Sequence, residues 1–129
     1  MNFKQIKETC IYFEDLHLAK KFYHDLLQLP ILSHVEGRHI FFKAGTSVLL
    51  CFNPNDSRLK KSPPAHFSQG RYHFAFEVSR EEYEQHKQEI INRGIPIIDT
   101  LVWKNNQESF YFNDPAGNVL EIVPEGVWE

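Results

Sequence analysis

A glutamate inside an apolar strand near the end of the chain is the residue whose position most clearly suggests chemistry. Glu121 interrupts residues 119–123, which are otherwise valine, leucine and isoleucine. A carboxylate that a strand directs into a protein needs a partner, and a metal ion or an arginine is the usual one. The sequence therefore predicts a metal ligand at Glu121, with a buried ion pair to Arg38 or Arg71 as the alternative.

The strand that carries Glu121 is the last of two chain halves with the same predicted order of elements, β-α-β-β-β. Asn, Asp, Pro and Gly between residues 112 and 119 predict a hairpin turn just before it. The chain is therefore interpreted as an internal repeat. Alternating and apolar runs predict strands at residues 9–14, 31–35, 39–43, 47–52, 72–78, 97–103, 109–112 and 119–123.

Each half also carries one predicted helix. Asp15 is placed to cap the first helix, whose apolar residues repeat at helical spacing. Ser79 and Glu82 form a capping box for the second helix, and Gly94 ends that helix near residue 93. Residues 53–70, rich in Pro, Asn, Ser and Lys, are predicted to be a linker or a long surface loop.

Aligning the two halves places two more polar residues beside Glu121. Glu8 lies 22 residues before Pro30 and His73 lies 23 before Pro96, so both occupy the first strand of their half. Because side chains alternate along a strand, residues that pack on the helix leave Glu8, His73 and Glu121 on the opposite face of the sheet. Two carboxylates and one imidazole that converge there are a plausible divalent-metal triad.

Composition excludes several classes of function. A chain of 129 residues with mixed charges and a formal net charge of −3 does not suggest binding to nucleic acid or to an anionic membrane. Cys10 and Cys51 are too few for a disulfide framework and are predicted to be buried, reduced thiols. With no apolar signal region and no membrane-spanning run, a soluble cytoplasmic protein is the expectation.

Three segments in this order, residues 13–27, 72–78 and 114–121, resemble the vicinal oxygen chelate superfamily. That superfamily includes glyoxalase, fosfomycin-resistance enzymes, extradiol dioxygenases, methylmalonyl-CoA epimerase and metal-free bleomycin-binding proteins. The resemblance implies an α+β fold in which two βαβββ modules form a curled, eight-stranded open cup, commonly within a homodimer. One domain is expected over residues 1–129, with modules at about 5–55 and 71–125 and a linker at about 54–70.

The resemblance also implies roles for single residues. His73 and Glu121 match ligand positions of the family, whereas Glu8 stands where a histidine is usual. The family's fourth ligand would fall on the strand at residues 47–52, where only leucine is available. Tyr111 matches a tyrosine of the extradiol dioxygenases and is a candidate catalytic residue.

Replacing histidine by Glu8 would change the character of a bound metal. Two carboxylates and one imidazole neutralise a divalent ion, which weakens it as a Lewis acid and favours harder ions over copper. Zinc, manganese, iron and nickel are the candidate ions. Glu121 is also a candidate catalytic residue, because a carboxylate that leaves the metal could act as a general base.

Two classes of function follow. The first is a metal-dependent enzyme acting on a small molecule with vicinal oxygens, by lyase, isomerase, thiol-transferase or dioxygenase chemistry. The second is a metal-free protein that sequesters a small molecule, as the bleomycin-resistance type does. The sequence leaves open the substrate, the metal and whether a dimer shares the site. Candidate pocket residues are Tyr12, Arg38, His39, Phe52 and Trp103.

Overall fold

A computed structural model describes all residues, Met1–Glu129, and shows two compact units. The first unit is Met1–Gln69 and the second is Gly70–Glu129. Each unit is built on one four-stranded sheet. None of the helices is both long and apolar enough to span a membrane.

The first unit contains four strands and two helical regions. A four-residue helix, α1, continues directly into a π-helical segment at Lys20–Leu26. The short helix α2 lies inside the segment predicted to be a linker, where the Asn53 side chain accepts a hydrogen bond from the N–H of Asn55. The bounds are β1 Glu8–Tyr12, α1 Leu16–Ala19, β2 Ile31–Val35, β3 His39–Ala44, β4 Ser47–Phe52 and α2 Pro54–Ser57.

The second unit repeats the strand order of the first around a single helix. Its sheet runs β5-β8-β7-β6, and the sheet of the first unit runs β1-β4-β3-β2. In each sheet one edge strand pairs in parallel with its neighbour, β1 with β4 and β5 with β8. The other pairs are antiparallel. The bounds are β5 His73–Val78, α3 Tyr83–Asn92, β6 Asp99–Val102, β7 Glu108–Asn113 and β8 Val119–Pro124.

The helix of each unit covers one face of its sheet. In the first unit Tyr23 packs on Phe42, with ring centroids 5.6 Å apart, and both are fully buried. In the second unit Tyr83 of α3 contacts Phe110 of β7 at 5.7 Å. The apolar strand residues that face the helix are spaced two apart, as expected for a sheet covered on that face. They are Ile11, Ile40, Phe42, Leu49 and Cys51 in the first unit and Phe110, Phe112, Leu120 and Ile122 in the second.

A polar contact also fastens α3 to its sheet. The Tyr83 hydroxyl donates to Glu108 Oε1 at 3.0 Å, and Lys87 Nζ donates to the same oxygen at 2.6 Å. The lysine hydrogen bond is the main reason that the pKa of Glu108 is lowered. The carboxylate therefore stays charged and holds both side chains of α3 against β7.

The predicted fold class is confirmed, and so is the internal repeat of two βαβββ modules. The Asp15 cap is also confirmed, because its side chain accepts from the N–H of His17 at 3.0 Å. The predicted strand at 97–103 is too long, since Trp103 already belongs to the turn into β7 and bonds the Gln107 carbonyl. The predicted burial is confirmed for Cys51 but wrong for Cys10. Cys10 lies on the sheet face away from α1 and is exposed.

Candidate metal centre

The turn before β8 sets the position of Glu121 along the sheet. Asp114 Oδ1 accepts hydrogen bonds from the N–H groups of Ala116 and Asn118, both at 2.9 Å. The Asn118 side chain donates to Asp114 Oδ2 and accepts from the N–H of Tyr72, immediately before β5. Asp114 and Asn118 are buried. The turn thus ties the start of β8 to the start of β5 and fixes their register.

That register brings His73 and Glu121 together. Ala75 is opposite Glu121 in the parallel β5–β8 pair, and His73 is opposite Val119. Both polar side chains project from the sheet face that α3 does not cover. The alternation of side chains along the strands predicted this face. His73 Nε2 lies 3.3 Å from Glu121 Oε1, so the side chain that contacts the Glu121 carboxylate is a histidine rather than an arginine.

The orientation of the His73 ring is fixed by the backbone. Its Nδ1 lies 2.8 Å from the Val119 carbonyl oxygen, which can only accept, so Nδ1 carries the proton. In the neutral ring the lone pair of Nε2 then faces the Glu121 carboxylate. Two acceptors that face each other across 3.3 Å require a cation or a proton between them. A histidine whose second nitrogen bonds a backbone carbonyl is the usual arrangement for a metal ligand.

Glu121 supplies a second observation that points to a metal ligand. The residue is 6% exposed. Its Oε2 is buried and has no hydrogen-bond partner. A buried acceptor without a partner costs on the order of 1–3 kcal/mol. An imidazole nitrogen and an unpartnered carboxylate oxygen form a donor set that fits zinc, manganese, iron or nickel.

Tyr111 completes this group on the neighbouring strand. It is directly opposite Glu121 in the β7–β8 pair, and its ring centroid is 6.0 Å from that of His73. Burial, and then the charge of and a hydrogen bond to Glu121, raise the pKa of Tyr111. Tyr111 is therefore a protonated phenol beside the carboxylate. The structure thus brings together three residues that the sequence predicted for the site.

Glu8 belongs to the first unit. It is the first residue of β1, is exposed, and lies opposite Val48 on the sheet face away from α1. Its face is the one predicted from the alternation of β1. Within the second unit, no third His, Cys, Asp or Glu forms a metal-binding group with His73 and Glu121. The ligand role of Glu8 stays a prediction.

Three of the predicted pocket residues, Tyr12, His39 and Phe52, belong to an aromatic cluster on the same sheet face. The Tyr12 hydroxyl is 2.7 Å from His66 Nδ1, and the Phe52 ring lies 4.5 Å from that of His66. His39 stacks on Phe41 at 4.0 Å, and Phe41 contacts Phe52 at 5.2 Å. Sequence reasoning did not include His66 and Phe41. The alternation of β3 was the available signal for Phe41, whereas no local pattern marks His66.

Arg38 and Trp103 do not join that cluster. The Arg38 guanidinium lies 3.5 Å from Asp56, and its side chain is half-exposed. Trp103 belongs to the second unit, where its indole N–H donates to Ser109 Oγ at 3.0 Å. Its ring packs against Trp128, which is 80% exposed, at 5.3 Å.

Comparisons with known proteins agree with this architecture. A family model described as the glyoxalase/bleomycin resistance protein/dioxygenase superfamily matches residues 5–122. The chain is 30% identical over 112 residues to the glutathione transferase FosA of Serratia marcescens, covering 84% of this chain and 72% of that protein. It is 24% identical to the metallothiol transferase FosB of Staphylococcus epidermidis, covering 95% and 82%.

A solved structure matches over almost the full length. The crystal structure of lactoylglutathione lyase from Agrobacterium tumefaciens superimposes with a TM-score of 0.92 and 32% identity, covering 98% of both chains. The repeated modules and these matches lead to one conclusion. The chain belongs to the glyoxalase/bleomycin resistance protein/dioxygenase superfamily.

Proposed function

We propose that this protein is a divalent-metal-dependent enzyme in which His73, Glu121 and Glu8 hold the ion. The observation that carries the proposal is the contact of His73 Nε2 with Glu121 Oε1 at 3.3 Å beside a buried Glu121 Oε2 that has no hydrogen-bond partner.

We propose thiol transfer as the reaction, with a small substrate that chelates through two adjacent oxygens. Two curated relatives are named as a glutathione transferase and a metallothiol transferase, and the matching crystal structure is a lactoylglutathione lyase. Each name includes a thiol compound. The three names favour a reaction at sulfur over the other lyase, isomerase and dioxygenase reactions that the sequence left open.

A bound ion would supply Lewis-acid stabilisation of negative charge that develops on a substrate oxygen. Two groups of the chain set the tautomer and the hydrogen-bond donors around such an ion. The Val119 carbonyl keeps His73 in the tautomer that exposes Nε2. Tyr111 stays protonated and therefore presents a hydrogen-bond donor, not a base, next to the two ligands.

Metal content tests the proposal directly. Protein purified without chelator is measured by elemental mass spectrometry and is then titrated with manganese, iron, zinc and nickel. We expect about one divalent ion per chain, lost in His73→Ala and Glu121→Ala. Glu77→Gln is the matched control, because Glu77 is exposed on the same strand face as His73.

Glu8→Gln tests the remaining ligand in the same titration. If Glu8 binds the ion, we expect metal affinity to fall at least tenfold while Glu77→Gln has no effect. Parent protein that takes up none of the four ions would contradict the metal site and favour the metal-free sequestering function. Loss of free glutathione in the presence of small oxygenated electrophiles, dependent on the metal, tests the reaction class.

A further inference from the structure

The aromatic cluster of the first unit supplies none of the proposed metal ligands. It lies on the sheet face that α1 does not cover, where Tyr12, His39 and Phe52 are neighbours on adjacent strands. Phe52 is at its centre, with ring centroids 4.5 Å from His66 and 5.2 Å from Phe41. All five rings are half-buried, so each keeps an exposed part that a ligand can contact.

His66 encloses one side of the aromatic cluster. It belongs to the segment between α2 and β5, and its ring stands edge-on to Phe52 with an interplanar angle of 85°. The Tyr12 hydroxyl lies 2.7 Å from His66 Nδ1, which fixes the imidazole and leaves Nε2 for a further hydrogen bond. Because a loop residue stands against the sheet, the cluster is a stepped surface that suits a small planar molecule better than a flat protein face.

A buried hydroxyl next to His66 lacks a partner. The His66 N–H donates to the Ser57 carbonyl at 3.3 Å, which brings the two residues together. Ser57 is 1% exposed, and its Oγ has no hydrogen-bond partner. Buried polar side-chain atoms are normally hydrogen-bonded, so this oxygen points to a polar group that does not belong to the chain.

Positive charge exceeds negative charge at this end of the sheet. Arg38 immediately precedes β3, Lys60 follows α2, and both face the same oxygen of Asp56, at 3.5 and 3.7 Å. The Arg38 carbonyl accepts from the N–H of Asn53, the residue after Phe52, at 2.9 Å. Two cations that share one carboxylate leave an excess of positive charge beside the aromatic cluster, which an anionic ligand complements.

We propose that the aromatic cluster binds a planar aromatic ring that carries a carboxylate. The ligand ring packs against Phe52 and its neighbours, and ring pairs of this kind add to the free energy of apolar burial. The ligand carboxylate complements the charge of Arg38 and Lys60. Binding of this ligand requires no metal ion and so does not depend on the proposed function.

Three probes test the ring and the charge separately, in protein kept in chelator. They are 2-naphthoate, its uncharged analogue 2-naphthamide and its saturated analogue decahydro-2-naphthoate. We expect 2-naphthoate to give saturable shifts of the Asn53 and His66 N–H signals in 1H–15N spectra. The saturated analogue should bind roughly threefold more weakly or worse, and so should the uncharged one.

Substitutions locate the binding site. Phe52→Leu removes the central ring and should weaken binding of 2-naphthoate roughly threefold or more, whereas Phe3→Leu, at a residue 83% exposed, should have no effect. His66→Ala alters a loop rather than the sheet and should also weaken binding. Arg38→Gln should weaken binding of 2-naphthoate but not of 2-naphthamide. A thermal midpoint close to that of the parent shows that each variant is folded.

Equal affinity for the three probes would overturn the proposal, and so would 2-naphthoate binding that is unchanged in both Phe52→Leu and His66→Ala. Absence of a saturable shift in the parent protein would also overturn it. Shifts of the same signals when the protein alone is concentrated would identify a second copy of the chain as the occupant, which would contradict a small-molecule site.

Discussion

Replacing Glu121 by glutamine should stabilise the metal-free protein and abolish its response to metal. The carboxyl group is buried, its Oε2 has no partner, and its Oε1 faces a histidine nitrogen. Glutamine fills the same volume without a charge. Its amide can donate to His73 Nε2, which removes the contact between two acceptors.

The expected gain follows from the cost of the unpartnered acceptor. That cost is on the order of 1–3 kcal/mol, and we take about 1–2 kcal/mol because glutamine retains one acceptor. Unfolding entropy is about 2.1 cal/mol/K per residue near the midpoint. For 129 residues this is roughly 0.27 kcal/mol/K. The midpoint of thermal unfolding should therefore rise by roughly 4–7 °C.

The assay is calorimetry on parent, Glu121→Gln and Glu77→Gln, each with chelator and with excess zinc. Zinc should raise the Tm of the parent and of Glu77→Gln but not that of Glu121→Gln. In chelator, Glu77→Gln should unfold close to the parent, because an exposed substitution changes stability by about 0.5 kcal/mol or less. The reasoning would be refuted if Glu121→Gln in chelator had a lower Tm than the parent. It would also be refuted if zinc raised the Tm of Glu121→Gln as much as that of the parent.

Two further predictions concern pH. The pKa of Glu108 is lowered, mainly by its hydrogen bond from Lys87, so its stabilisation is complete above the ordinary pKa of 4.5 and is lost as pH falls through the folded-state pKa. We expect Glu108→Gln to cost about 1 kcal/mol near neutrality, after allowance for a side chain one third exposed. Urea unfolding at pH 7 and pH 3 should show that the substitution lowers the free energy of unfolding less in acid. An equal loss at both pH values would contradict the proposed role of the Glu108 charge. Burial and then nearby cations lower the pKa of His39, so its protonation should destabilise the fold as pH falls below the ordinary value of 6.5. The urea midpoint of His39→Phe should drop less than that of the parent between pH 7.5 and 5.5, and equal drops would exclude His39 as a source of acid sensitivity.

Local patterns were sufficient to predict the two modules and the sheet face that His73 and Glu121 share. Apolar alternation and turn residues depend on neighbours in sequence, so the strands and the faces of His73 and Glu121 could be assigned without the structure. Local residues also mark α2, which lies inside the segment predicted to be a linker. Asn53 caps this helix and Pro54 occupies its first turn.

Other features depended on contacts between distant segments. His66 reaches Tyr12 across 54 positions of sequence, and no local pattern indicates such a contact. The tautomer of His73, the unpartnered oxygen of Glu121 and the bond from Trp103 to Ser109 depend on strand register and side-chain rotamers. A two-residue period specifies only the face of the sheet on which a side chain lies. The sequence by itself thus determined which residues share a face, and the tertiary structure decided the distances and hydrogen-bond directions that give those residues a chemical role.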